Sequence, residues 1–281
     1  GACLFASFPE WYATLFSGFY LALLLIILAL IARGVSFEYR HQRDDLRWKK
    51  SFDAMIVVGS AVPSLLWGVA VGNIVQGVPL DADHNFTGSL LTLLNPYGLW
   101  VGVTLLLLFF VHGVYFVALK TDEQVREDAR RLALRAAIAA VVFAAGTVVW
   151  TIVIAAGRGA PLLWLTIACG VVAAVALLAS VVANLRSREG WAFAAGAVTI
   201  VFAVLTLWTA LFPFVMPSTT DPAHSLTIAN ASSTPYTLTI MSWAALVFLP
   251  LVILYQGWTY WVFRRRVSRS RIAAAASAPA H

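Results

Sequence analysis

The sequence predicts an all-α fold: a polytopic integral membrane helix bundle with seven transmembrane helices. Three observations predict it. Of the 281 residues, 61% are hydrophobic and only 11% are charged, whereas soluble domains carry about 25% charged residues. Seven apolar runs reach the roughly 20 residues that a helix needs to cross a hydrocarbon core. The basic residues crowd into every second connection, the pattern that marks cytoplasmic loops.

The first run covers 11–32, and the stretch 33–50 that follows reads as a basic loop holding Arg33, Arg40, Arg43, Arg47, Lys49 and Lys50. The second run, 54–75, contains Gly68-x-x-x-Gly72, and the third, 97–119, opens with Gly98-x-x-x-Gly102. Small residues four apart let membrane helices approach closely. The fourth, fifth and sixth runs, 132–156, 161–185 and 191–214, follow with short connections, and the seventh covers 236–263. Two longer connections, 76–96 and 214–235, lack Lys and Arg and are rich in Pro, Thr, Ser, Asn and Asp. In the second of these, Leu226, Ile228 and Tyr236 are spaced to pack back on the bundle. Pro63 and Pro250 lie mid-run and are expected to kink their helices, the freed carbonyls finding other partners.

Residues 1–266 read as one bundle domain and the Ala-rich 267–281 as a disordered tail. The opening Gly-Ala-Cys-Leu-Phe-Ala reads as the end of an earlier apolar run. The expectation is that two further spans precede this chain.

Eighteen of the 19 basic residues fall on one side of this topology, and Arg158 alone falls on the other. The reading is an external N-terminus and a cytoplasmic C-terminus in a plasma membrane. The pI near 9.6 follows from that bias and requires no nucleic-acid partner; a basic surface also favours anionic lipid. Trp11, Tyr12, Tyr97, Trp100, Tyr236 and Trp243 fall near the outer ends of runs, where amphipathic rings anchor at the interface. Cys3 and Cys169 are far apart in apolar surroundings and read as inert thiols.

The motifs that carry soluble enzyme chemistry are missing: no phosphate-binding glycine loop, paired His, Cys-x-x-Cys or nucleophile triad is present. Charged residues inside a membrane usually mark ion or proton paths, yet no Asp or Glu lies at mid-depth in these runs. His112 lies inside a run without a second ligand at helical spacing, which reads as packing rather than haem ligation. Glu38 stands apart, flanked by Phe37 and Tyr39 with Arg33 and Arg40 near it. One reading is a surface carboxylate paired to arginine, a weak interaction when exposed. The other is a proton-entry carboxylate in a partly desolvated aromatic collar.

Seven segments, in order, resemble subunit II of the bacterial cytochrome bd-type quinol oxidases. They are Phe8-Pro-Glu-Trp-Tyr12, Phe16-Ser-Gly-Phe-Tyr20, Arg33-Gly-Val-Ser-Phe-Glu-Tyr-Arg40, Gly72-Asn-Ile-Val-Gln-Gly-Val-Pro79, Asn95-Pro-Tyr-Gly-Leu99, Phe212-Pro-Phe-Val-Met-Pro-Ser218 and Leu226-Thr-Ile-Ala-Asn-Ala-Ser-Ser233. The resemblance runs from residue 1 to about Arg266.

It implies a membrane subunit that pairs with a haem-bearing subunit I, the two together oxidising quinol and reducing O2 to water. It places haem b and haem d in that partner, with none assigned to this chain. It admits a structural quinone, small single-helix accessory subunits and membrane lipid as further companions. Glu38 matches the acidic position of the family's Phe-Asp/Glu-Tyr-Arg motif, which implies proton entry there, tuned by Arg33 and Arg40. A second carboxylate of that path belongs to a Trp-Asp-Gly motif absent from this sequence. Two rivals are a purely structural assembly subunit and a secondary transporter, the latter needing broken helices and midplane polar groups.

Overall fold

The computed structural model describes residues 1–263, so the expected tail and the arginines after Phe263 lie outside the described residues. Among these residues the helices are α1 (Ala2–Ser7), α2 (Pro9–Gly18), α3 (Tyr20–Tyr39), α4 (Leu46–Gln76), α5 (Leu90–Leu93), α6 (Pro96–Lys120), α7 (Glu123–Gly157), α8 (Leu163–Leu185), α9 (Glu189–Leu211), α10 (Ile228–Ala231) and α11 (Pro235–Val262). Seven of them, α3, α4, α6, α7, α8, α9 and α11, are long and apolar enough to cross a membrane. The polytopic bundle is therefore borne out.

The first span is displaced from its expected place. The run 11–32 does not form one helix: α2 stops at Gly18, and α3 starts at Tyr20 and continues to Tyr39. Phe86 from a distant connection packs on Gly18, where a Cβ would come within 2.5 Å of the Phe86 Cβ. The apolar run reads through this break, which the tertiary contact marks in the structure. The expected basic loop is correspondingly short. Arg33 and Glu38 belong to the last turns of α3, while Arg47, Lys49 and Lys50 belong to the start of α4, capped by Asp45 accepting from the Arg47 N–H at 3.0 Å.

The glycine pairs act as expected. A Cβ at Gly68 would lie 2.6 Å from the Gly102 Cα, and one at Gly72 would lie 3.1 Å from the Gly98 Cα. Thus α4 and α6 meet backbone to backbone. Where α6 faces α7, hydroxyls join them: Thr104 to Thr147 and Tyr97 to Thr151, both at 2.7 Å. Such bonds satisfy polar groups that hydrocarbon cannot. Further along α7, Ala133, Ala137 and Ala140 are completely buried against Tyr115, Leu177 and Ala192 of α6, α8 and α9. Pro63 and Pro250 lie inside helices that continue through them.

At the end opposite the basic residues, the two long connections fold onto each other. Val78 donates to the Pro217 carbonyl and Thr219 donates to Val78, each at 3.0 Å. Beside them β1 (Phe214–Met216) and β2 (Leu226–Thr227) pair antiparallel. Leu80, Met216 and Leu226 are buried in one apolar cluster with Trp11 and Phe19. Of the three residues expected to pack back here, only Leu226 does so; Ile228 and Tyr236 are exposed. Three expected interface anchors are also tertiary ties. Trp11 donates to the Val215 carbonyl, Trp100 donates to the Phe143 carbonyl, and Tyr97 is fully buried. The last helix, α11, has no buried residue, and Tyr260 near Phe116 and Phe193 is one of its few contacts with the bundle.

Candidate functional site at the basic end

The turn between α3 and α4 gathers the residues singled out in the sequence. Close approach of the two helices is set by Gly59, where a Cβ would come 2.7 Å from the Ala29 carbonyl oxygen and 2.8 Å from the Arg33 Cβ. The Arg33 guanidinium lies 5.8 Å from the Phe37 ring centroid, one turn on. Tyr39 ends the helix, its carbonyl accepting from the Trp48 indole at 2.8 Å. Trp48 and Phe52 pack at 4.8 Å, and Arg43 covers the Trp48 ring at 4.7 Å. The aromatic contacts at this turn thus join Tyr39 of α3 to Trp48 and Phe52 of α4.

The charges are distributed differently from the sequence expectation. Arg40 forms a two-pronged contact with Asp53 of α4, at 2.5 and 3.2 Å. Its hydrogen bond and charge contact with Asp53 raise the Arg40 guanidinium further above its already high ordinary pKa. Lys49 pairs with Asp44 at 2.8 Å, and that bond holds the Asp44 carboxyl below the usual range. Arg33, Glu38 and Arg40 lie within two turns of one another, but Glu38 forms no ion pair among the described residues. Its carboxylate is exposed at the end of a face of α3 that also exposes Ile27, Leu30, Ile31 and Gly34. Glu38 is therefore an acid without an ion pair among the described residues, at the edge of an apolar strip.

A second acid at this end was not singled out from the sequence. Glu189, at the start of α9, is buried and bonded to Arg126 at 2.6 and 2.8 Å, with Arg130 at 3.8 Å. Arg130 and Asn184 clamp each other's carbonyls at 3.0 and 3.1 Å. The only hint was an acid following Arg186 and Arg188 in a tight turn. Asn73 was likewise overlooked: buried in α4, it donates to Leu93 at 2.7 Å and accepts from Asn95 at 2.7 Å. That contact fastens two of the resembling segments together.

His112 packs against α9. Its ring stacks on Phe193 at 4.4 Å, and its Nδ1 would lie 3.0 Å from a Cβ at Gly196. That Nδ1 is buried and has no hydrogen-bond partner among the described residues.

The family model described as cytochrome bd terminal oxidase subunit II matches residues 1–263. The chain belongs to the cytochrome bd subunit II family. It is 38% identical over 272 residues to cytochrome bd ubiquinol oxidase subunit 2 of Bacillus subtilis, covering 94% of this chain and 78% of that protein. It is 34% identical over 307 residues to cytochrome bd-I ubiquinol oxidase subunit 2 of Escherichia coli K12, covering 97% and 80%. A probable cytochrome oxidase subunit 2 of Haemophilus influenzae is also 34% identical, with 92% and 77% covered. As a subunit II of a bd-type terminal oxidase, the chain is part of a haem-containing quinol:oxygen oxidoreductase complex. Membership replaces the transporter reading, and it implies a subunit I as partner.

Proposed function

We propose that the chain docks on a subunit I that carries haem b and haem d, and delivers protons toward those haems from the cytoplasm through Glu38. In this reading the basic end of the bundle is cytoplasmic, which the bias of basic residues toward cytoplasmic loops supports. The observation that supports proton delivery is the Glu38 carboxylate, without an ion pair among the described residues, at the end of the exposed apolar strip of α3. A protein partner lying on that strip would enclose the acid and set it on a route into the complex. Arg40, held by Asp53, and Arg33, held over Phe37, stay close without neutralising it. They set the local field rather than forming its ion pair.

The test is Glu38→Gln, with Glu38→Asp as the conservative partner, in the purified complex. Quinol-dependent O2 consumption should fall roughly tenfold in the Gln variant and recover in the Asp variant, with haem content unchanged. The pH profile should shift in the Asp variant. Wild-type turnover from Glu38→Gln between about pH 6 and 9 would leave the chain as an assembly subunit only.

A further inference from the structure

We propose that the cavity enclosed by α6, α7, α8 and α9 is a dry binding site for a small apolar gas, O2 in the working complex. This rests on the reading that the complex reduces O2. The cavity holds about 200 Å³ and is bounded by Val101, Leu108, Val148, Ala173, Leu177 and Ala203, among other apolar side chains.

Its polar lining consists of five threonines, and their hydroxyl hydrogens are already committed to the protein. Thr199 and Thr206 bond back to Ala195 and Phe202, at 2.9 and 2.7 Å. Thr104 and Thr147 bond each other, and Thr151 reaches the Thr147 carbonyl. A buried water needs two to four polar partners, and apolar cavities of about 150 Å³ stay dry and take up benzene or xenon. This cavity is larger and offers an entering water no free hydroxyl hydrogen, only threonine oxygens set among apolar side chains.

The position of the opening selects the occupant. Ala174 lies halfway between the ends of α8 at Leu163 and Leu185. It is exposed, as are Ala145 and Leu178, the lining residues that flank it across the α7–α8 gap. The gap therefore opens at mid-depth, where the bilayer holds acyl-chain ends and dissolved apolar gas. A chain end would have to bend sideways and lose conformational freedom to enter. A diatomic gas loses none, and like any apolar solute it leaves water for such surroundings.

The experiment is a structure of the purified wild-type complex under xenon pressure, beside the cavity-filling variants Ala144→Leu and Ala203→Leu. The expected result is a xenon peak among Thr104, Leu177 and Thr206 that disappears in a filled variant. That variant should also show a raised KM for O2, by about twofold, at unchanged kcat. Absence of xenon, ordered water, or a continuous acyl chain in the wild-type cavity would each overturn the proposal. An unchanged O2 KM in a folded, filled variant would overturn the assignment to O2. The wild-type arm needs no variant to fold. Xenon binding in a complex without quinol oxidase activity would refute the oxidase reading, not the cavity; an active complex without xenon does the reverse.

Discussion

A methyl group placed on Gly68 has nowhere to go, because the obstructing atom is the Gly102 backbone rather than a side chain that could swing aside. Gly68→Ala should therefore cost the complex roughly 1–3 kcal/mol, the usual price of overpacking. Gly113→Ala on α6 is the matched control, since nothing lies within 4 Å of that position. Thermal melts of the purified complex should show a clear fall for the first and none for the second. A similar contrast separates the acids. Glu189→Gln leaves Arg126 and Arg130 facing an uncharged amide in a buried place, so it should cost about 3 kcal/mol. Asp53→Asn breaks the more exposed contact with Arg40 and should shift the melt far less than Glu189→Gln does. The glycine pairs were legible in the sequence because spacing alone carries their meaning. Glu189 was not, because its burial depends on three helices meeting, and a one-dimensional pattern shows an acid among arginines as ordinary surface.

At the scale of elements, span number was legible but the first helix boundary was not. Hydropathy integrates over about 20 residues, whereas the α2–α3 break is one residue wide and is held by Phe86, more than sixty positions away. The two long connections show the same limit. Their lack of Lys and Arg marked them as one side of the membrane, yet their mutual pairing through Val78, Pro217 and Thr219 has no local signature. The fold of the first connection makes a pH prediction. Asp81 accepts N–H bonds from Asn85 at 2.8 Å and Asp83 at 3.0 Å. The Asn85 bond is the main cause holding the Asp81 carboxyl below its usual range. A carboxyl with a depressed folded-state pKa adds stability that is complete above its unfolded pKa and is lost as pH falls through the folded one. Amide protection in residues 81–88, corrected for intrinsic exchange, should fall below about pH 4. Asp81→Ala should show low protection at all pH values and lose that dependence. Protection that is equal in both proteins would show that other contacts hold the connection.

For the whole molecule, basic residues among the described residues are segregated by end, and the one exception has a structural reason. Arg158 follows α7 and donates to the carbonyls of Val75, at 2.5 Å, and Gln76, at the C-terminal end of α4. It satisfies carbonyls that a helix end leaves without partners and meets the negative end of the helix dipole. Its charge is engaged in capping, so it does not argue against the other eighteen basic residues of the sequence. The orientation inferred from those residues is a property of the full bundle, and two positions read it out. Gln42 lies in the exposed turn between α3 and α4, and Ala82 lies in the exposed connection at the other end. In a Cys3→Ser background, with Cys169 buried, a single cysteine at Ala82 should react with a membrane-impermeant maleimide in intact cells. A cysteine at Gln42 should react only after permeabilisation. The opposite pattern would invert the bundle. Glu38 shares the Gln42 end, so inversion would move it away from the cytoplasmic proton supply and remove it from the proposed path.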